Sequence, residues 1–169
     1  MNKIKTIGLG LLTIFIVSSC SSTKKVYTIA AKSDTKTNGI VTFKEKGNIV
    51  TMELDVKGLT PGEHAIHIHE KADCSAPDGT STGGHWNPGH TDHGKWDVGY
   101  FHLGDIGNLV ANEKGEAKLT FKTDKWCLTC NDESKKIIGH GLIIHSTKDD
   151  FQTQPTGNAG GRVGCVEIK

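Results

Sequence analysis

Among the nine histidines of this 169-residue chain, several stand at spacings that suit metal chemistry. In Ala65-Ile66-His67-Ile68-His69-Glu70 two imidazoles are separated by one residue. Successive side chains on a strand leave opposite faces, so His67 and His69 share one face while Ile66 and Ile68 enter the core. That pair alone is weak evidence, because two surface histidines would look the same. Its neighbours are more telling: His85, His93, His102 and Asp105 follow, and His145 closes the apolar run Leu142-Ile143-Ile144. Imidazole suits copper and zinc alike, and tetrahedral zinc accepts a carboxylate, so three histidines and an aspartate make a zinc set. Six histidines and an aspartate exceed what one such ion needs, which implies a binuclear site.

The elements that must position these groups read as β. Apolar and polar residues alternate over 39–44 and 49–56, residues 26–31 are β-prone, and turns fall at Glu45-Lys46-Gly47-Asn48 and Thr60-Pro61-Gly62. Further strands are expected at 107–111, 117–122, 137–145 and 162–168. Residues 71–100 lose all periodicity to Gly, Pro, Asp, Ser and His, far beyond the usual connection of about 4–6 residues, and loops of that length are functional or disordered. No stretch keeps helical periodicity and no long repeat is present. About eight short strands in one domain suggest a closed or nearly closed antiparallel sandwich. Twenty Lys and Arg against nineteen Asp and Glu leave no basic footprint for nucleic acid.

The first residues have export grammar: Lys3 and Lys5, an apolar run over 7–17, then small residues. The run is shorter than the roughly 20 residues of a spanning helix. Val17-Ser18-Ser19-Cys20 looks like a bacterial lipobox, so 1–19 is expected to be a lipoprotein signal peptide, Cys20 the lipidated residue and 20–25 a flexible tether to a domain over 26–169. An ordinary cleaved signal with Cys20 incidental is the plainer alternative. Export places Cys74, Cys127, Cys130 and Cys165 in a disulfide-permissive compartment, and four cysteines allow two bridges.

Five stretches carry a family resemblance in order: His67-Ile68-His69-Glu70; Gly84-His85-Trp86-Asn87-Pro88; His102-Leu103-Gly104-Asp105-Ile106-Gly107-Asn108; Gly139-His140-Gly141-Leu142-Ile143-Ile144-His145; and Gly157-Asn158-Ala159-Gly160-Gly161-Arg162-Val163-Gly164-Cys165. They resemble the signatures of copper/zinc superoxide dismutase from about Val26 to Lys169. The resemblance implies an all-β, eight-stranded antiparallel Greek-key barrel with long metal-binding loops. It puts copper on His67, His69, His85 and His145, and zinc on His85, His93, His102 and Asp105, with His85 bridging. It also makes Asp149 the carboxylate linking a copper ligand to a zinc ligand, Arg162 the cation that draws in the anion, and Cys74–Cys165 an internal disulfide. His64 is expected to satisfy a backbone partner, and His90 and His140 to be solvated.

Two features depart from the family pattern. Trp126-Cys127-Leu128-Thr129-Cys130 has the spacing of a thioredoxin redox site, but 131–136 is too short and polar for the helix such a site needs; a local Cys127–Cys130 disulfide, metal-binding thiols and thiol exchange are the alternatives. Residues 150–156 lack the Lys and Glu that guide substrate in many members. The implied activity is dismutation of superoxide, catalysed with His85 and Arg162, in the cell envelope and membrane-anchored through lipid. Members of the family occur as monomers and as dimers, so a homodimer is possible. A copper- or zinc-delivery protein on the same barrel is the alternative function.

Overall fold

The computed structural model describes residues 22–169; the expected signal peptide over 1–19 and the lipidation site Cys20 lie outside the described residues. Eight strands follow in chain order: β1 (Ser22–Ala31), β2 (Asn38–Lys46), β3 (Ile49–Lys57), β4 (Gly62–His69), β5 (Asp105–Ala111), β6 (Ala117–Thr123), β7 (Gly141–His145) and β8 (Arg162–Glu167). They pair in the order β5-β4-β7-β8-β1-β2-β3-β6, every ladder antiparallel. The last two ladder ends, β5 and β6, lie side by side without pairing, so the barrel is nearly closed. Among the described residues no helix is long and apolar enough to cross a membrane.

The strands form where the residue alternation demands them. β3 alternates strictly, burying Val50, Met52, Leu54 and Val56 and presenting Thr51, Glu53 and Asp55 outward. Gly47 (φ 61) turns β2 into β3, a conformation glycine reaches without steric cost. The core joins these residues to Val41 and Phe43 of β2, Ile66 and Ile68 of β4, Leu142 and Ile144 of β7, and Val166 of β8. β4 is buried on both faces from His64 to His69, because loops cover the histidine face that an open sheet would expose to water.

Two expected boundaries are corrected. The tether expected over 20–25 is strand from Ser22: Ser22, Thr23, Lys24 and Lys25 pair with Lys46, Glu45, Lys44 and Phe43. The polar outer face of that ladder gives no apolar signal, yet the cross-strand pairing is complete. The strand expected over 137–145 begins only at Gly141. Ile137 is a core residue, but the chain turns through Gly139 (φ 99), with His140 N donating to Ile137 O.

Residues 71–100 are irregular apart from the short 3-10 turn Thr80–Thr82. Cys74 is disulfide-bonded to Cys165 across 91 residues, tying this loop to β8. Removing the bridge with the paired substitutions Cys74→Ser and Cys165→Ser is expected to cost about 4–5 kcal/mol in the chain-entropy account. Guanidinium unfolding of the variant measures it, and a loss under about 1 kcal/mol would show that the loop is held without the bridge.

Candidate metal centre

The site is assembled from strand ends and the loop between them. β4 supplies His67 and His69, β7 ends on His145, and β5 begins with Asp105. Backbone bonds dock the loop: His85 bridges to His69, Trp86 N donates to Ile68 O at 2.9 Å, and Gly104 N to Trp86 O at 2.9 Å. Gly104 lies so close to Ile68 that a Cβ there would run into the Ile68 carbonyl, so only glycine lets the three segments meet.

Two buried groups result. The donor atoms of His67, His69, His85 and His145 converge to within 4.8 Å of one another, as do those of His85, His93, His102 and Asp105. His85 belongs to both. Its Nδ1 lies 2.8 Å from Asp105 Oδ1, while its buried Nε2 has no partner among the described residues. His67 Nδ1, His93 Nδ1 and His102 Nδ1 are likewise buried without a hydrogen-bond partner among the described residues.

The opposite nitrogens are tied down, which decides what faces inward. His67 Nε2 donates to Asp149 Oδ2 and His93 Nε2 to Asp149 Oδ1, each at 2.9 Å. His69 Nδ1 donates to Gly83 O (3.0 Å), His145 Nδ1 to Gly160 O (3.3 Å) and His102 Nε2 to Thr91 O (3.1 Å). Such outer bonds fix the tautomer and leave the other nitrogen as a lone-pair donor. In the second group, His93 Nδ1 and His102 Nδ1 stand 2.9 and 3.2 Å from the Asp105 oxygens without hydrogen-bond geometry. Lone pairs crowded together in a dry site cost several kcal/mol unless a cation accepts them, so the donor sets fit two metal ions.

The electrostatics follow the same division. Burial pushes His67, His69 and His145 below the ordinary 6.5, His69 and His145 far below it, and brings His85 down to about 4 despite Asp105. Burial also acts to lower His93, but its bond to Asp149 and the adjacent charge of Asp105 outweigh it and push it up to about 9, so without metal a proton takes the place a cation would fill between His93 Nδ1 and Asp105. Burial works to raise both aspartates, yet His102, His85 and His93 hold Asp105 far below the carboxylate range, and His67 and His93 do the same for Asp149.

Arg162 starts β8 opposite His145. Its Nη2 donates to Gly83 O at 2.7 Å, the same carbonyl that holds His69, and its Nη1 to Gly79 O at 2.7 Å. Two side-chain amides also position the site. Gln154 brackets His93, accepting from its N and donating to its O, both at 2.9 Å. Asn108 does the same for the backbone of Asp149, at 2.7 and 2.9 Å. Residue type and spacing do not reveal this role, even for Asn108 at the end of the His102–Asn108 stretch, because an amide that grips a backbone depends on the loop path.

The remaining histidines are apart from both groups. His64 sits buried between two carbonyls, Nδ1 2.7 Å from His145 O and Nε2 2.8 Å from Thr60 O. His90 is exposed, whereas His140, expected on the surface, is half-buried against Trp86 and bonded to Glu70 O at 2.8 Å. Cys127 and Cys130 are disulfide-bonded, and turn rather than helix follows them.

Fold and site define a β-barrel with two adjoining histidine-rich groups that could hold metal. The chain matches the family described as copper/zinc superoxide dismutase over residues 37–168, and it belongs to that family. It is 36% identical to a superoxide dismutase (Cu-Zn) of Paramecium bursaria Chlorella virus 1, over 99% of this chain and 96% of the relative. It is 38% identical to an extracellular superoxide dismutase (Cu-Zn) of Drosophila melanogaster, covering 80% and 77%, and 36% identical to a Caulobacter vibrioides superoxide dismutase (Cu-Zn), covering 83% of each. Among solved structures, that of the clock protein EA4 superposes with a TM-score of 0.74 at 30% identity, covering 94% of this chain and all of that one.

The shifted histidines make the metal-free protein sensitive to pH on both sides of neutrality. Below 6.5 the unfolded chain protonates His67, His69, His85 and His145 while the fold resists, so stability falls as pH drops. Above 6.5 the fold keeps a proton on His93 that the unfolded chain has lost, so that contribution disappears as pH rises through about 9, at about 1.4 kcal/mol per unit. Denaturant unfolding of chelator-stripped protein at about pH 5, 7 and 9 should show a maximum near neutrality; a flat profile would contradict the assignment.

Proposed function

We propose that this protein dismutes superoxide to oxygen and hydrogen peroxide at a binuclear site, with copper held by His67, His69, His85 and His145 and zinc by His85, His93, His102 and Asp105. The observation that carries the reading is His85, whose two nitrogens face two different donor groups, one beside Asp105 and the other unpartnered. Copper supplies one-electron redox chemistry there and zinc a fixed positive charge. The chain's own residues do the rest. Asp149 keeps His67 and His93 in register. His85 Nε2, buried and without a protein partner among the described residues, is the place to hold a proton destined for peroxide.

Arg162 recruits the anion. A guanidinium carries five N–H groups, and three of Arg162's are committed to protein acceptors. The Nε–H and one Nη2–H remain, two donors for a two-oxygen anion, on a cation whose charge acts on His69 and His145. Storage or delivery of metal needs no such oriented cation, which favours the enzyme over a metal-carrier reading.

We assign the protein to the cell envelope as an exported lipoprotein, with signal peptide 1–19 and lipid on Cys20, protecting the envelope from superoxide. The lipobox-like Val17-Ser18-Ser19-Cys20 supports this, as do two disulfides, which suit an oxidising compartment.

Reconstitution with copper and zinc followed by superoxide decay tests the activity. Wild type should accelerate decay, His145→Ala should lose copper and activity while retaining zinc, and His85→Ala should disrupt both metals by elemental analysis. Full zinc retention with full activity in the His85 variant would remove the shared ligand. The anchor is tested separately by labelled fatty-acid incorporation: label in wild type and an uncleaved, unlabelled precursor for Cys20→Ala are expected. An unlabelled, soluble wild-type protein would make it a plain secreted enzyme.

A further inference from the structure

The guanidinium of Arg162 is held before any anion arrives. Two of its three protein acceptors are backbone carbonyls, Gly79 O and Gly83 O, placed by the course of the loop. The third is a side chain, Thr82 Oγ1, 2.7 Å from Nη1.

Thr82 is fully buried and ends the 3-10 turn Thr80–Thr82, flanked by Gly79 and Gly83 with φ of 73 and 76. A hydroxyl has one proton, and that of Thr82 goes to Gly79 O at 2.9 Å. What the oxygen turns to Arg162 is therefore a lone pair, and the two Nη1 protons can divide between Gly79 O and Thr82 Oγ1. The methyl is wedged against β7: a Cβ on Gly141 would lie 2.9 Å from Thr82 Cγ2. A β-branched side chain so confined has little χ1 freedom. Its carbonyl accepts from Lys71 N at 3.0 Å, just past the end of β4. Thr82 thus touches Arg162, the strand that ends on His145 and the exit of the strand that carries His69.

An alternative position for the guanidinium is close at hand. The Asp78 carboxylate is near enough for its charge to act on Arg162, although it already accepts from Thr80 N at 3.0 Å and Thr80 Oγ1 at 2.7 Å. A guanidinium that swung toward Asp78 would have its charge answered there and would no longer present its free edge to an anion.

We propose that Thr82 is a positioning residue for Arg162, its hydroxyl locking the rotation of the guanidinium so that the Nε–H and the remaining Nη2–H face the arriving anion. The inference rests on the dismutase reading above, and its test separates the two. Thr82→Val keeps the shape and removes the hydroxyl; Thr82→Ser keeps the hydroxyl. Each is made in the full, metal-loaded protein, alone and with Arg162→Ala, with metal content checked.

The second-order rate with superoxide should fall about tenfold or more in Thr82→Val, as expected for losing one hydrogen bond to a charged group, and recover to within about twofold of wild type in Thr82→Ser. Adding Thr82→Val to Arg162→Ala should cost nothing more, since the hydroxyl acts only through the guanidinium. By NMR of the side-chain nitrogens, the two Nη positions of Arg162 should be distinct in wild type and Thr82→Ser and averaged in Thr82→Val. A wild-type rate in Thr82→Val, or the same loss in the Arg162→Ala background, overturns the proposal. If Arg162→Ala alone leaves the rate unchanged, the role of Arg162 in the dismutase reading fails instead, and the NMR comparison still decides whether Thr82 locks the guanidinium. Thr82→Ala gives the same comparison if the valine variant does not fold.

Discussion

The Asp149 carboxylate commits both oxygens to imidazoles, one on β4 and one in the loop, and the two halves of the site keep their spacing through it. Burying a carboxylate is costly unless its lone pairs are satisfied, and here they are met by His67, His93 and Phe151 N, the last at 2.7 Å. Asn108 accepts from the backbone N and donates to the backbone O of Asp149, and Gly157 packs so tightly that a Cβ would overlap the carboxylate. Because the outer nitrogens of His67 and His93 are held this way, their inner nitrogens are available as donors without rearrangement.

The other constraint is the irregular loop. Residues 71–100 have no ladder of their own, so their path depends on individual tethers. Glu70 N to Gly84 O (3.0 Å), Lys71 N to Thr82 O (3.0 Å) and the Asn87–Thr91 bonds anchor it, while the Cys74–Cys165 bridge and Lys32, bonded to the carbonyls of Cys74 and Ala76, hold its outer turn. The Gly83 carbonyl serves both His69 and Arg162, so a shift in this loop moves a donor histidine and the Arg162 guanidinium together.

Much of this was legible because the chemistry is local. Period-two alternation separates Ile66 and Ile68 from His67 and His69 with no knowledge of the fold, and imidazoles and a carboxylate declare their use by type. Strand limits were less so. The Ser22, Thr23, Lys24 and Lys25 segment has no apolar rhythm and becomes strand only because β2 stands beside it; Ile137 and Ile138 have strand composition but lie in a turn. Gln154 and Asn108 were opaque as clamps for a different reason. An amide that grips a backbone leaves no pattern in sequence, and the segment carrying Gln154 is distinguished in sequence only by the charges it lacks.

The early start of β1 has a mechanical consequence. Its first residue pairs at the β2–β3 turn, whereas its last pairs beside Gly164, and Ser33 just beyond it bonds to the carbonyl of Arg162. A strand of this length spans about 30 Å at about 3.3 Å per residue. It therefore acts as a rigid standoff: whatever is attached upstream of Ser22 grips the barrel at the end remote from Arg162. A surface to which that end were fastened would lie about one barrel length from Arg162.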